Sequence, residues 1–153
     1  MEDIKTTSIL HFCRDEVNRQ GYDMNNREGF DKVVCMLKAW NYALNRHYLD
    51  VHDISTLGNM VEPNKNHSLL EFRKCNVKVG GYIAPPPNVV YGMIANLSHN
   101  MYSMTPDEAY LEFQRIHPFV DGNGRVGKII HNFLNKTLHD PILIKDYFGG
   151  GNP

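Results

Sequence analysis

The chain has 153 residues, of which 42% are hydrophobic and 22% are charged, and its formal net charge is −1. This length suits one globular domain that buries about two-thirds of the surface of its unfolded chain. The nearly balanced charge provides no basic surface for nucleic acid, so we expect no nucleic-acid partner. Three cysteines without a C-x-x-C pair argue against a disulfide framework and favour a reducing, cytoplasmic location.

Neither a signal sequence nor a membrane span is expected. The chain begins Met-Glu-Asp, and no apolar signal core follows these residues. The stretch from Val79 to Pro106 contains no Asp, Glu, Lys or Arg, but its four prolines and its Asn and His residues suit a membrane helix poorly. We therefore expect no membrane partner, while secretion of the protein as an effector stays open.

The first half of the chain predicts three helices. Residues 6–19 form the first, with Leu10, Cys13 and Val17 on one side. The second runs from about Glu28 to Arg46, and its core positions are Phe30, Val33, Val34, Leu37 and Trp40.

The third of these helices is shorter. Asp50 is its predicted N-cap, Ile54 and Leu57 are its core positions, and Gly58 is its predicted terminator. Residues 62–67 are polar and predict a loop.

Residues 75–84 carry the one convincing β signal. Val77 and Val79 alternate with polar residues, and Gly80-Gly81 supplies the positive φ that a tight turn needs. Tyr82-Ile83 follows as the second strand, so the sequence predicts a small β-hairpin.

The second half of the chain predicts three more helices. Core positions of the first, which follows three prolines, are Val90, Met93, Ile94 and Leu97. The next opens at Thr105, with proline at the first helical position and Glu108 completing a capping box. Pro118 should end it, because proline disfavours helical geometry at the residue before it. The apolar face of the last helix is Val126, Ile129, Ile130, Phe133, Leu134 and Leu138.

The turn between the last two helices is the most informative stretch. It reads His117-Pro118-Phe119-Val120-Asp121-Gly122-Asn123-Gly124-Arg125-Val126-Gly127-Lys128. Backbone N–H groups at a helix start have no intrahelical partners, and the helix dipole favours an anion beside them. Gly122 and Gly124, on either side of Asn123, let the backbone approach that anion closely. Arg125 and Lys128, three residues apart, add positive charge to the first turn.

Two further side chains complete this chemistry. Asp121 is suited to hold Mg²⁺, which binds hard oxygen ligands and neutralises phosphate oxygens. His117 can accept a proton near neutral pH. Together these residues indicate a nucleotide's phosphates, a divalent cation and a base.

The same residues also fit three other interpretations. Gly122, Gly124 and Gly127 form G-x-G-x-x-G, and residues 122–128 match most of a P-loop. Both motifs require a preceding strand, whereas here a capped helix precedes them, and Ile129 lacks the P-loop hydroxyl. A plain glycine turn between two core helices remains the third alternative.

Residues 117–125 resemble the signature of the Fic-domain family, H-P-F-x-[D/E]-G-N-G-R-x-x-R. The one departure is Lys128, where the family usually has a second arginine. Phe72-Arg73 and the stretch from Tyr82 to Pro87 resemble the family's segment before the core, and Trp40 to Leu44 resembles its early core helix. The resemblance covers about residues 30–140.

The resemblance implies a mainly α fold: one Fic-like domain over residues 1–153 with a small β-hairpin flap. Outside the stretch that the resemblance covers, the sequence itself predicts the N-terminal helix at residues 6–19 and a flexible glycine-rich tail at 149–153. The resemblance also implies a protein adenylyltransferase, which transfers AMP from ATP to a Ser, Thr or Tyr hydroxyl of a target protein and releases pyrophosphate.

Site roles follow from the resemblance as well. It implies that His117 is the catalytic base, that Asp121 holds Mg²⁺ and that Phe119 anchors the loop. The implied nucleotide-binding residues are Gly122, Asn123, Gly124, Arg125 and Lys128. The implied target-binding flap is Val77, Lys78, Val79, Gly80, Gly81 and Tyr82.

Regulation and the transferred group stay open. Many relatives are restrained by a helix with [S/T]-x-x-x-E-[G/N], from a partner resembling an antitoxin or from the chain itself. Glu28-Gly29 matches the end of that pattern and Met24 breaks its start, so Glu28 is a possible inhibitory residue. Some relatives transfer phosphate, UMP or phosphocholine instead, and a non-catalytic nucleotide-binding or protein-binding module is the remaining alternative.

Overall fold

In a computed structural model, residues 2–66 and 71–144 of the chain are described, with side chains from residue 7 onward. This part of the chain is mainly helical with a small two-stranded antiparallel sheet, as the sequence predicts. Its helices are α1 (Glu2–Arg19), α2 (Arg27–Leu44), α3 (Val51–Val61), α4 (Pro87–Asn100), α5 (Pro106–Ile116) and α6 (Asn123–Leu134). The strands are β1 (Lys78–Val79) and β2 (Tyr82–Ile83), and a 3₁₀ turn spans Met101–Ser103. The tail predicted at residues 149–153 lies outside the described residues.

Helix α6 lies at the centre of the fold. It packs along α5 and also contacts α2 and α3, while α2 lies between α1 and α3. All residues from Asn123 to Asn132 are buried, the charged ones included. Trp40 of α2 is fully buried, and its indole N–H donates to Leu138 O at 2.8 Å, just beyond the end of α6. The motif at the start of α6 is therefore built into the interior of the protein.

The helix signals around the motif are confirmed. Thr105 caps α5 and exchanges hydrogen bonds with Glu108 in a capping box. Helix α5 ends at Ile116, directly before His117, because Pro118 excludes helical geometry there. Helix α6 ends at Leu134, so the prediction that Leu138 belongs to its apolar face is wrong, although Leu138 is buried beyond the helix end.

Several predicted bounds and core positions are wrong. Helix α1 starts at Glu2, since nothing in residues 2–5 opposes a helix before Thr6. Phe30 is 62% exposed, because the buried stripe of α2 runs through Gly29, Val33, Met36 and Trp40 and leaves Phe30 outside it. Leu10 is likewise 37% exposed, although Cys13 and Val17 are fully buried as predicted.

Gly58 does not terminate α3, which continues to Val61. The glycine is required by packing instead: a Cβ at this position would lie 2.1 Å from Cε1 of Phe119. The motif's phenylalanine thus sits directly against the backbone of α3. A helix can continue through glycine when a close approach of this kind compensates its low helix propensity.

Among the described residues, none of the helices combines the length and the apolar content that crossing a lipid bilayer would need.

Gly58→Ala is expected to destabilise the protein by about 1–3 kcal/mol, because the added methyl overpacks the Phe119 ring. Gly92→Ala is the matched control: Gly92 is exposed in α4, and nothing lies within 4 Å of a Cβ there. That control should stabilise by about 0.5–1 kcal/mol through helix propensity. Urea unfolding of both variants measures the difference. Equal effects would show that Gly58 and Phe119 are not in close contact.

Candidate active site

His117 occupies a special backbone position at the end of α5. Its φ is 51° and its ψ is 64°, in the left-handed region, and its N–H donates to Phe113 O at 2.9 Å. The imidazole is buried, with Nδ1 3.2 Å from the backbone oxygen of Gln114. A proton on Nδ1 donates to that carbonyl, and this tautomer leaves Nε2 as a proton acceptor.

The surroundings of His117 favour its neutral form. Burial lowers the pKa of the imidazole, and the nearby Arg73 cation lowers it further. The Gln114 carbonyl and the Asp121 charge raise the pKa, but the net shift is below the ordinary histidine value. The ring is therefore neutral at neutral pH, which is the form that can accept a proton.

The Asn123 side chain closes the loop between α5 and α6. Its Oδ1 accepts from Phe119 N and its Nδ2 donates to Phe119 O, both at 2.9 Å. These two bonds resemble the paired backbone bonds of a β-ladder, and they fix the conformation of the loop. In this structure the amide of Asn123 is bonded to the protein, so its contribution to an anion site comes from the backbone N–H.

Phe119 anchors the same loop from inside. Its side chain is 2% exposed, and its ring packs against the rings of Phe72 and Phe113 at centroid distances of 5.5 and 6.4 Å. With the close approach to Gly58, these contacts fix the loop against three separate segments.

Asn66 is a loop contact that sequence reasoning missed. Its Oδ1 accepts from Val120 N at 3.2 Å, and its Nδ2 donates to Asp121 O at 2.7 Å and to Gly58 O at 3.2 Å. From sequence, Asn66 is one polar residue in a polar stretch, and nothing marks it as a partner of residues 120–121.

Asp121 is held as a half-buried carboxylate at the entrance to α6. Its Oδ1 accepts from Gly122 N at 2.7 Å, and its Oδ2 contacts Lys65 Nζ at 2.6 Å. Burial raises the pKa of this carboxyl, but the bonds from Lys65 and Gly122 and the Arg125 charge outweigh burial and hold the pKa below its usual value. The carboxylate is thus ionised, and its outer oxygen already accepts a cation, the exposed Lys65 ammonium.

This donor set fits Mg²⁺. Magnesium is commonly held by one or two carboxylates together with water and substrate phosphates. Asp121 supplies one ionised, partly exposed carboxylate beside the start of α6, and Lys65 is exposed enough to move away.

The first turn of α6 is buried and has no side-chain cap within the described structure. Gly122 is the N-cap residue, with φ of 86°. A Cβ on Gly122 would lie 2.9 Å from Val61 Cγ1, so both its φ and its surroundings favour glycine. The uncapped amides of residues 123–125 and the helix dipole therefore point at the loop that carries Asp121.

The Arg125 guanidinium lies between the loop and the interior, with Nη2 3.5 Å from Oδ1 of Asp121. The Arg125 side chain is fully buried, and Nη2 lies 2.7 Å from Oε2 of the buried Glu62. Lys32 of α2 contacts the same carboxylate at 2.6 Å. Nε and Nη1 of Arg125 have no hydrogen-bond partner within the described part of the chain.

Lys128 is also buried and paired. Its Nζ lies 3.1 Å from Oε2 of Glu16 on α1 and 5.4 Å from the centroid of the Tyr110 ring. Burial lowers the pKa of Lys128, but Glu16 and Tyr110 outweigh burial, so the pKa is raised and the side chain is charged. Arg19 also contacts Glu16, at 2.7 Å.

Neither Glu16 nor Glu62 was expected from the sequence as a partner of the motif cations. Glu28, the predicted inhibitory residue, is exposed in the first turn of α2. The carboxylate that contacts Lys128 belongs to Glu16 instead. A pairing between residues 112 positions apart leaves no local signal in a single sequence.

The predicted hairpin is present beside His117. Val79 pairs with Tyr82 and Lys78 with Ile83, and Gly80 has φ of 61° in the turn. Both ends of this hairpin are bonded to the buried Arg73, which also bonds the end of α5. The structure thus brings together His117, Asp121 and the start of α6, and Arg73 links the end of α5 to the hairpin.

Comparisons with known proteins identify the family of this chain. Residues 43–134 match the Fic/DOC family, and the chain belongs to this family. The "Protein adenylyltransferase Fic" of Drosophila mojavensis is 32% identical over 155 residues, covering 92% of this chain and 30% of that protein. The protein of the same name in Drosophila grimshawi is 30% identical over 84 residues, covering 48% of this chain and 17% of that protein.

A solved structure shares the fold. The crystal structure of a Fic family protein from Desulfovibrio desulfuricans G20 matches with a TM-score of 0.74 at 13% identity, over 90% of this chain and 50% of that one. The chain thus spans half of this structural relative and less than a third of the two Drosophila proteins.

We expect an NMR titration of the His117 ring to give a midpoint below the ordinary histidine pKa of about 6.5. The unfolded chain then binds this proton at higher pH than the folded one, so His117 lowers stability as pH falls below about 6.5. Comparing the spectrum with that of His117→Gln assigns the resonance, and the urea-unfolded protein gives the reference midpoint. A folded midpoint at or above the unfolded one would contradict the buried, neutral imidazole.

Proposed function

We propose that this chain is a protein adenylyltransferase that moves AMP from ATP to a hydroxyl of a target protein. The observation that carries the proposal is the neutral His117, oriented by Gln114 O, on the same short loop as an ionised carboxylate and an uncapped helix start. The printed names of the two Drosophila relatives support the same reaction class.

In the proposed reaction His117 Nε2 accepts the proton of the target hydroxyl while that oxygen attacks the α-phosphorus of ATP. A new P–O bond to the target forms, the bond between the α-phosphorus and the bridging oxygen breaks, and pyrophosphate leaves. The amides of residues 123–125 stabilise the charge that develops on the α-phosphate oxygens. Positioning and charge stabilisation supply most of the rate in such transfers, with little covalent work for the protein.

Asp121 is the residue that would hold Mg²⁺, and the metal would supply charge neutralisation of the phosphate oxygens. Lys65 must release the outer oxygen of Asp121 before that carboxylate can bind the metal. The hairpin is proposed to position the target backbone, since Lys78, Gly80 and Gly81 are exposed and β-strands can add to such an edge.

The roles proposed for the two motif cations, Arg125 and Lys128, depend on their present ion pairs. Arg125 and Lys128 are predicted to bind the β- and γ-phosphates, yet in this structure their charges are matched by Glu62 and Glu16. A phosphate must therefore compete with a buried carboxylate for each cation. Release of Glu16, which lies on α1, would make Lys128 available without disturbing the motif loop.

Transfer of another group by the same site is the second candidate. It rests on Lys128, because a lysine binds phosphate as a point charge without the bidentate fork of arginine. A changed contact to the terminal phosphate can alter which nucleotide or group is accepted.

Incubation with ATP labelled in the α- or γ-phosphate tests the proposal. We expect α-label on the protein itself or on a target from a lysate, detected by gel and by mass spectrometry as an AMP adduct. Label from the γ-position alone would indicate phosphate transfer. Absence of both labels would contradict the proposal and favour a binding module or a different donor.

His117→Ala is expected to reduce this transfer by roughly 10²–10⁴-fold, the usual contribution of a general base, while MgATP binding measured by calorimetry is retained. His139→Ala is the matched control, because His139 is exposed beyond α6. Unchanged transfer by His117→Ala would remove His117 from the mechanism.

Glu16→Gln is expected to tighten MgATP binding by roughly tenfold, because loss of one charge-assisted bond worth about 1.5 kcal/mol frees Lys128 for phosphate. It should also lower stability, since Lys128 loses its buried counterion. Calorimetry measures the affinity and urea unfolding the stability.

Glu28→Gly in the same assay compares Glu28, the inhibitory residue suggested by the sequence, with Glu16, which pairs with Lys128 in the structure. Tighter binding only in Glu16→Gln assigns inhibition to the pair with Lys128, and tighter binding only in Glu28→Gly assigns it to Glu28. Unchanged affinity in Glu16→Gln would show that this pair does not limit access to Lys128.

A further inference from the structure

Arg73 is a buried cation that neither the motif nor the proposed chemistry uses. Its side chain is 4% exposed in total, and no carboxylate pairs with it among residues that the structure describes. An unpaired buried charge is costly unless its donors are satisfied in another way. The bonds that satisfy Arg73 therefore indicate why a charged side chain occupies this position.

The donors of Arg73 are satisfied by backbone carbonyls from three segments. Nη1 donates to Cys75 O at 2.8 Å, before β1, and Nη2 donates to Pro85 O at 2.5 Å, after β2. Nε donates to His117 O at 2.6 Å, and Nη2 also donates to Ile116 O at 3.1 Å. The backbone N–H of Arg73 donates to Pro118 O at 2.8 Å.

These bonds serve two structural needs at once. Carbonyls at the end of a helix have no intrahelical partners, and a cation there also complements the helix dipole. Arg73 satisfies the carbonyls of Ile116 and His117 in this way from outside the helix. It also joins the two ends of the hairpin, whose strands pair at Lys78–Ile83 and Val79–Tyr82.

We propose that Arg73 is a positioning residue: its guanidinium fastens both ends of the hairpin to the end of α5 and so fixes His117 relative to the flap. His117 has a left-handed backbone, which costs a non-glycine residue free energy and persists only where its surroundings hold it. The bond from Arg73 to His117 O is one such constraint. The importance of this positioning for catalysis rests on the proposed function.

Only arginine meets this geometry. Four carbonyls in three directions need a planar donor with several N–H groups, whereas lysine offers one ammonium at one point. Arg73→Lys retains the charge and loses the joint bonding of flap and helix end. Arg73→Met removes the charge as well, and Lys74→Met, which removes an exposed cation at the next position, is the matched control.

Amide hydrogen exchange followed by NMR tests the proposal without any requirement for activity. The probes are Ala84, whose N–H bonds Val77 O in the hairpin, and His117, whose N–H bonds Phe113 O at the end of α5. In Arg73→Lys both amides should lose protection together, while core amides of α2 and α6 keep theirs. The Lys74→Met protein should match the wild type.

Three results would overturn the proposal: loss of protection at only one of the two probes, an equal loss throughout the core, or no loss. If Arg73→Lys does not fold, the same comparison in Arg73→Met decides, and failure of both variants to fold would assign Arg73 to overall stability rather than to positioning.

The rate of AMP transfer is the second test of the role of Arg73. Where the wild type transfers AMP to itself, Arg73→Lys should slow the transfer by roughly 10- to 100-fold, the effect of a misplaced catalytic group, with unchanged MgATP affinity. Weaker MgATP binding with an unchanged rate at saturating nucleotide would contradict positioning of His117. If the wild type transfers nothing, the proposed function fails, and the exchange experiment alone decides whether Arg73 couples the flap to His117.

Discussion

The pairing of the Asn123 side chain with the backbone of Phe119 is the constraint on which the site depends. It closes the loop between α5 and α6, and Phe119 then seats this loop against Gly58 of α3. With the loop fixed, His117 follows the end of one helix and the uncapped amides of residues 123–125 begin the next. His117 and the uncapped first turn of α6 are thus joined by five intervening residues, and their separation does not depend on flexible side chains.

Buried charge is the second organising feature. Arg125 and Lys128 lie on the most buried helix of the fold, and each is compensated by a carboxylate from another segment, Glu62 or Glu16. Removing one partner from such a pair is costly, because the remaining charge stays in a low-dielectric interior. These pairs tie α6 to α1 and to the end of α3. In the proposed function, a phosphate would have to compete with these carboxylates, so the same side chains would serve stability and ligand binding.

Much of the fold was predictable because its signals are local. The capping box at Thr105, the proline that ends α5 and the glycine turn of the hairpin each lie within a few residues, and all three are confirmed. The role of Gly58 was missed because the Phe119 ring that requires it is 61 residues further along the chain. The bonds of Asn66 and the pairing of Glu16 with Lys128 were missed for the same reason. Such contacts are fixed by packing, and a single sequence carries no record of them.

We propose that the first turn of α6 holds the phosphates of ATP beside His117. A crystal structure with magnesium and a non-hydrolysable ATP analogue tests this most directly. We expect α-phosphate oxygens at the amides of residues 123–125, the metal on Asp121 and the imidazole facing the α-phosphorus. Phosphates bound elsewhere, with the His117 ring packed out of reach of them, would contradict the account.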